Sequence, residues 1–364
     1  MKKGFLITVI AVAVIGIAVG IGVGVAKEGS HSVNNVVKSS ANNGTSNNFN
    51  NNNNSSNNGG STSSGNESSS NGSTSSNSGS SSSSSSSNST SSSSEAKLNV
   101  GLKNQAALSA LAPQYLQEFE NLIAQANNIT NNNQQSQNQM DDASFKTASL
   151  WNDELNKLYG DIEKNLTPKE AEFLKNQENE WVNYKNNAIK KIGDQPWCSM
   201  IPLLQGTRAT QMNQERCYYL FFYYLDNDNT NLDLSGLVNG NEKVSEHISE
   251  FNFIENKAKE LISNSKSNDE LVKAYNNINN QWVNEIDGVY QHAITCCNNS
   301  EYEISNIRTP EEEWVNFKSN ELNLAQNYYS SSDMGSIASD KVSIALIKAK
   351  IFTLFNYIIN LSQN

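Results

Sequence analysis

Few side chains in this 364-residue chain could carry out acid–base or nucleophilic chemistry. It has three histidines, His31, His247 and His292, and four cysteines, Cys198, Cys217, Cys296 and Cys297. No nucleophile elbow, phosphate-binding glycine loop or metal-ligand spacing accompanies them. Glu178 and Glu180 could serve as the acid and base of a glycan-cleaving pair, but Glu pairs on an acidic helical surface read first as a solvated face. The stretch from Asp226 to Asp233 alternates oxygen-bearing side chains as calcium loops do. It lacks the glycine and the glutamate that close such a loop, and reads as a polar linker. No catalytic, cofactor-binding or metal-binding residue is expected, and the chain does not read as an enzyme.

The cysteines suggest structure instead. Cys198 and Cys217 are a candidate disulfide closing a loop of about 20 residues, worth roughly 3 kcal/mol if unstrained. Cys296 and Cys297 are adjacent and could pair with each other, remain thiols or bridge two chains. With only His292 nearby they do not make a zinc site.

The elements that must position these residues occur twice. Glu180-Trp181-Val182-Asn183-Tyr184-Lys185 returns as Glu313-Trp314-Val315-Asn316-Phe317-Lys318. The echo extends both ways: Leu116, Glu118 and Phe119 lie over Ile248, Glu250 and Phe251, and Trp151, Glu154, Leu155, Asn156 and Tyr159 over Trp282, Glu285, Ile286, Asp287 and Tyr290. Arg216, Leu220 and Phe221 lie over Lys350, Leu354 and Phe355. The offset drifts only from 131 (159 to 290) to 134 (216 to 350), which is a module of domain length used twice.

Both modules read as all-helical. Trp151, Leu155, Leu158, Tyr159 and Ile162 form one apolar stripe at helical spacing, repeated by Trp282, Ile286, Val289, Tyr290 and Ala293. Thr167-Pro168-Lys169-Glu170 is a capping box with proline at the first helical position, and Ser300 to Glu303 is its counterpart. Pro310 falls inside the following helix and is expected to kink or restart it. The aromatic runs Tyr218–Tyr224 and Ile351–Tyr357 mark the last helix of each module. The fold class is therefore all-α: two tandem bundles of about four helices, residues 98–232 and 233–364.

Residues 4–26 are uncharged and almost wholly apolar, long enough to cross a hydrocarbon core of ~30 Å. With Lys2 and Lys3 before them, residues 1–28 read as a membrane anchor with an exported remainder. The alternative is a signal peptide cleaved after Gly24-Val25-Ala26, giving a secreted protein. Residues 29–97 are dominated by Ser and Asn, with too few apolar side chains to offset the entropy of ordering, and read as a disordered stalk. Residues 1–97 hold five lysines and three glutamates, which leaves 21 basic against 34 acidic residues in 98–364, a net of −13. So acidic a region repels nucleic acid and attracts cationic proteins.

Glu154-Leu155-Asn156-x-x-Tyr159, then Trp181-x-x-Tyr184-Lys185, then Arg216-x-x-x-Leu220 resembles the LprI-type domain, a family of small secreted helical domains named for lysozyme inhibition. The resemblance covers about residues 110–225 directly and 240–362 through the repeat. Asn152 stands where the family has Asp, Lys185-Asn186 where it has Arg-Asp, Glu178 where it has Gln, and Ala188 where it has Cys. The resemblance implies a membrane-tethered extracellular binder of lysozyme or another cationic protein. A surface structural or sensory role, with binding to wall or self-association as a homodimer, is the alternative. The motif residues Glu154, Leu155, Asn156, Tyr159, Trp181, Tyr184, Lys185 and Arg216 are core or binding residues on this reading. Asp153 or Glu154 is the expected partner of Arg216.

Overall fold

Apolar stripes and side-chain caps set the helices. The computed structural model describes residues 102–361 apart from 196–198, 227–232, 239–240 and 330. The expected anchor, the stalk and Cys198 lie outside the described residues, as does the middle of the Asp226–Asp233 stretch. Among the described residues there is no strand. The helices are α1 (Gln105–Ser109), α2 (Ala112–Asn131), α3 (Gln137–Glu163), α4 (Pro168–Gly193), α5 (Ile201–Leu220), α6 (Ser245–Asn264), α7 (Asn268–Cys296), α8 (Glu301–Tyr328) and α9 (Ser332–Leu361). The fold is all-α.

The caps work as the residue types require. The Thr167 hydroxyl accepts from the Glu170 N–H at 3.3 Å and the Glu170 carboxylate accepts from the Thr167 N–H at 2.7 Å. Ser136, Ser267 and Ser300 each cap a helix in the same sense. Asn298 and Asn299, with φ of 49° and 65°, form the left-handed turn from α7 into α8, a conformation asparagine tolerates better than most residues. The aromatic run at the end of α5 continues as a π-helical turn over Phe221–Leu225, closed by the Asp226 N–H on the Phe221 carbonyl at 2.9 Å.

At Pro310 the helix does not restart. α8 runs through it without interruption from Glu301 to Tyr328, and the Thr309 capping box is not used. Buried Ile304, Ile307, Trp314 and Phe317 lie on either side of the proline on the same helix. Their burial holds the helix together across the one missing hydrogen bond.

In the first half α2 packs on α3, and α3 and α4 pack on α5; in the second α6 packs on α7, and α7 and α8 pack on α9. The halves meet where α5 crosses α9 and α4 lies on α8. Gly206 permits the close approach of α5 to α3, because a Cβ there would sit 2.2 Å from the Ser144 hydroxyl. α9 is long and apolar enough to cross a membrane, but 83% of its apolar window is buried within this fold, where it is the central helix of the second half.

One hydrophobic core runs through both halves. Phe119, Trp151, Tyr218 and Phe221 form its first part, and Phe251, Trp282, Phe352 and Phe355 its second. Phe222 joins them, 6.0 Å from Phe251 and 5.9 Å from Phe352 between ring centroids. Burying one such phenylalanine contributes roughly 2–3 kcal/mol, so these rings are a principal source of the fold's stability.

Candidate functional site

Two of the motif residues, Lys185 and Arg216, converge on a third, Trp181, which α4 buries against α5. The Lys185 ammonium lies 4.2 Å from the Trp181 ring centroid and donates to the Asn213 side-chain oxygen at 3.2 Å. Desolvation lowers the Lys185 pKa below the usual lysine value. The Arg216 guanidinium sits 5.8 Å from the same ring and 4.7 Å from the Tyr219 ring. Such cation–ring contacts strengthen as water is excluded. Arg216 Nε donates to Glu178 Oε2 at 3.1 Å. The partner of Arg216 is thus Glu178 on α4, not Asp153 or Glu154 on α3, because α5 turns this side chain toward α4. Fully buried Glu321 on α8 also faces this cation, and burial pushes its carboxyl up to about 7.

Leu155 is a core residue and Tyr159 packs half-buried against the core, while Asn156 is exposed. Tyr184 is half-buried, stacked on Phe317 at 4.6 Å with the rings 8° apart, and its hydroxyl accepts from Arg208 at 3.2 Å. Tyr184 and Phe317 occupy the same place in the two copies of the repeated hexapeptide. The motif face of α4 is therefore covered by α8.

The second half repeats the arrangement. Lys318 lies 5.4 Å and Lys350 5.6 Å from the Trp314 ring, and Lys350 faces Glu311 at 3.9 Å. Trp314, Lys318, Lys350 and Glu311 stand 133 or 134 positions after Trp181, Lys185, Arg216 and Glu178. Lys350 is further held by Glu215 at 3.5 Å. Desolvation lowers Lys318 to about 8. The Arg216–Glu178 pair was not read from the sequence, although the opposite charges recurring at both offsets could have signalled it.

Glu154 belongs to a different, outer cluster. Its carboxyl is pushed up to about 7, chiefly by burial and then by the neighbouring Glu118 carboxyl, whose own pKa is lowered. Lys157 pairs with Glu118 and stands 3.9 Å from Glu154. The Tyr115 hydroxyl donates to Asp161 at 2.7 Å. The group bridges α2 and α3 and turns toward solvent through Glu118 and Asp161. At the equivalent place of the second half, His247 joins Glu285 and His292.

Cys217 is a free, buried thiol lying against the Trp151 carbonyl at 3.8 Å, with its pKa raised by burial. Cys297 is likewise a buried free thiol, pushed up to about 11. Among the described residues no group of three or more His, Cys, Asp or Glu side chains is placed to hold a metal.

No curated protein and no solved structure matches the chain. A family match exists for the stretch that runs from the end of α2 through α3, α4 and α5 and holds Glu154, Trp181, Lys185 and Arg216. Residues 129–220 match the model of the family described as lysozyme inhibitor LprI, so this part of the chain is similar to that family.

Proposed function

We propose that this chain is a non-enzymatic binder of a cationic extracellular protein, with lysozyme the first partner to test. Residues 4–26 would tether it to a membrane, or be cleaved to release it, and residues 29–97 would space the helical region outward. The reading rests on the LprI match over residues 129–220 and on the net charge of −13 over residues 98–364. Because α8 covers the motif face of α4, docking falls to the outer side of α2 and α3, where Glu118, Asp153, Glu154 and Asp161 gather acidic charge. The mechanism is steric: this face docks on the basic enzyme and blocks its sugar cleft. Complementary charge raises the association rate more than the affinity, and salt weakens it.

Titration of residues 98–364 with lysozyme, followed by a wall-lysis assay at low and physiological salt, tests the proposal. Saturable binding with dose-dependent inhibition at physiological salt is expected. Replacing Glu118 and Asp161 by Lys should weaken binding about tenfold, or ~1.4 kcal/mol. Binding that vanishes with salt, or no binding, overturns the inhibitor reading. A surface structural role through wall binding or self-association then stands, favoured by the burial of Trp181 and Tyr184 between helices.

A further inference from the structure

We infer that His247 and His292 form a binding site for a divalent transition ion of the zinc class, held between α6 and α7. The ring nitrogens His247 Nε2 and His292 Nδ1 stand 3.2 Å apart. Two nitrogen ligands of a tetrahedral zinc ion, each at ~2.0–2.1 Å, are separated by about 3.3 Å. The side chains therefore already sit close to the edge of a zinc tetrahedron.

The other nitrogen of His247 settles which atom is open to a metal. Nδ1 lies 2.8 Å from Glu285 Oε1, so the carboxylate accepts a hydrogen bond from Nδ1–H, which leaves a lone pair on Nε2, facing His292. A carboxylate behind a ligating imidazole is the common second partner of protein zinc sites. Packing fixes the rings: their centroids are 5.3 Å apart, and His247 lies 6.0 Å from the Phe355 ring of α9. Both rings are partly open to solvent, which gives the ion an entry path. Around them, Glu246 favours a cation and Lys243 opposes one.

The first half sharpens the assignment. Tyr115, Glu154 and Asp161 precede His247, Glu285 and His292 by 132, 131 and 131 positions. There the same place between two helices is bridged by a hydroxyl donating to a carboxylate at 2.7 Å, and a hydrogen bond suffices. The second half exchanges that pair for two imidazoles, nitrogen donors suited to zinc, copper and nickel. The protein supplies two ligands, and water or a bound partner completes the shell.

The test is titration of the full chain with Zn²⁺ by calorimetry and with Co²⁺ by visible absorption. One ion per chain is expected, with Co²⁺ bands in the range of nitrogen and oxygen ligands. His292→Ala should abolish binding. Glu285→Gln, which disturbs only the positioning carboxylate, should weaken it ten- to a hundredfold. His31→Ala and Cys296→Ser should leave it unchanged. Zn²⁺ should also protect two histidines of the unaltered chain from acylation, a readout that needs no variant to fold. No saturable Zn²⁺ binding, binding undiminished in a folded His292→Ala variant, or loss of binding in Cys296→Ser would each overturn the proposal. The 3.2 Å contact would then be a helix-bridging hydrogen bond like that of Tyr115.

Discussion

Arg216 keeps a full charge where 1% of its side chain reaches solvent. It does so because Glu178 accepts from its Nε and because Trp181 and Tyr219 present ring faces to the guanidinium. Glu321 meets the same buried space, and burial pushes its carboxyl up from 4.5 to about 7 against the opposing pull of Arg216 and of a hydrogen bond from Gln177. Between those pH values the folded protein holds a proton that the unfolded chain has released. Stability from this group is complete below pH 4.5 and is lost as pH rises through about 7, by roughly 3 kcal/mol in all. Glu321→Gln should remove that loss. Urea denaturation at pH 5 and pH 8 should show the variant more stable than the parent chain at pH 8 only; equal slopes in both proteins would refute the assignment. The burial of Trp151, Trp181 and Trp282 was legible in the sequence, since each begins or joins an apolar stripe. The Arg216–Glu178 partnership left a single signal, the opposite charges that recur at both repeat positions, and neighbouring acids on α3 and α4 hide it until the packing shows which helix α5 faces.

The helices themselves follow from local physics. Periodicity marks α3 and α7, and cap residues mark the starts of α4 and α8, because a Thr or Ser oxygen satisfies an N–H the helix leaves unbonded. α9 is mostly apolar and is buried on nearly all sides, its buried lysines Lys348 and Lys350 being ion-paired, as a helix surrounded by others requires. The local signal for a restart was overridden at Pro310. A proline inside a helix costs about 3 kcal/mol relative to alanine in an exposed host, yet the rings and aliphatic side chains of Ile304, Ile307, Trp314 and Phe317 are buried only if α8 is continuous. Tertiary burial outweighs the local penalty. Pro310→Ala should therefore stabilise the protein, by about 1–3 kcal/mol, with no change in helix content. Chemical denaturation followed by far-UV circular dichroism checks it; a destabilised variant would mean that the proline ring is needed where it packs.

At the scale of the molecule, the two halves meet through equivalent residues. Tyr184 stacks on Phe317, which stands at its own place in the other copy, and Tyr218 meets Phe352, again its counterpart, at 5.7 Å. An interface in which a position touches its own equivalent is how a twofold dimer is built. Ion pairs add to these contacts between different positions of the repeat. Lys191 pairs with Glu313 at 2.8 Å, and Glu215 with Lys350 at 3.5 Å; the equivalents of Glu313 and Lys350 in the first half are Glu180 and Arg216. A second copy of the first half could therefore supply every one of these partners. Two consequences follow for experiment. The intact chain, whose main core runs through both halves, should unfold in a single transition by tryptophan fluorescence and circular dichroism. Residues 98–232 alone should sediment as a homodimer, since folding as a monomer would leave Tyr184, Tyr218 and Phe222 facing water, an apolar face of the kind that drives association. Tyr184→Arg, which sets two like charges against each other across the axis, should break that dimer. A folded, monomeric fragment would show that the inter-half contacts add little, and two separate unfolding transitions in the intact chain would say the same.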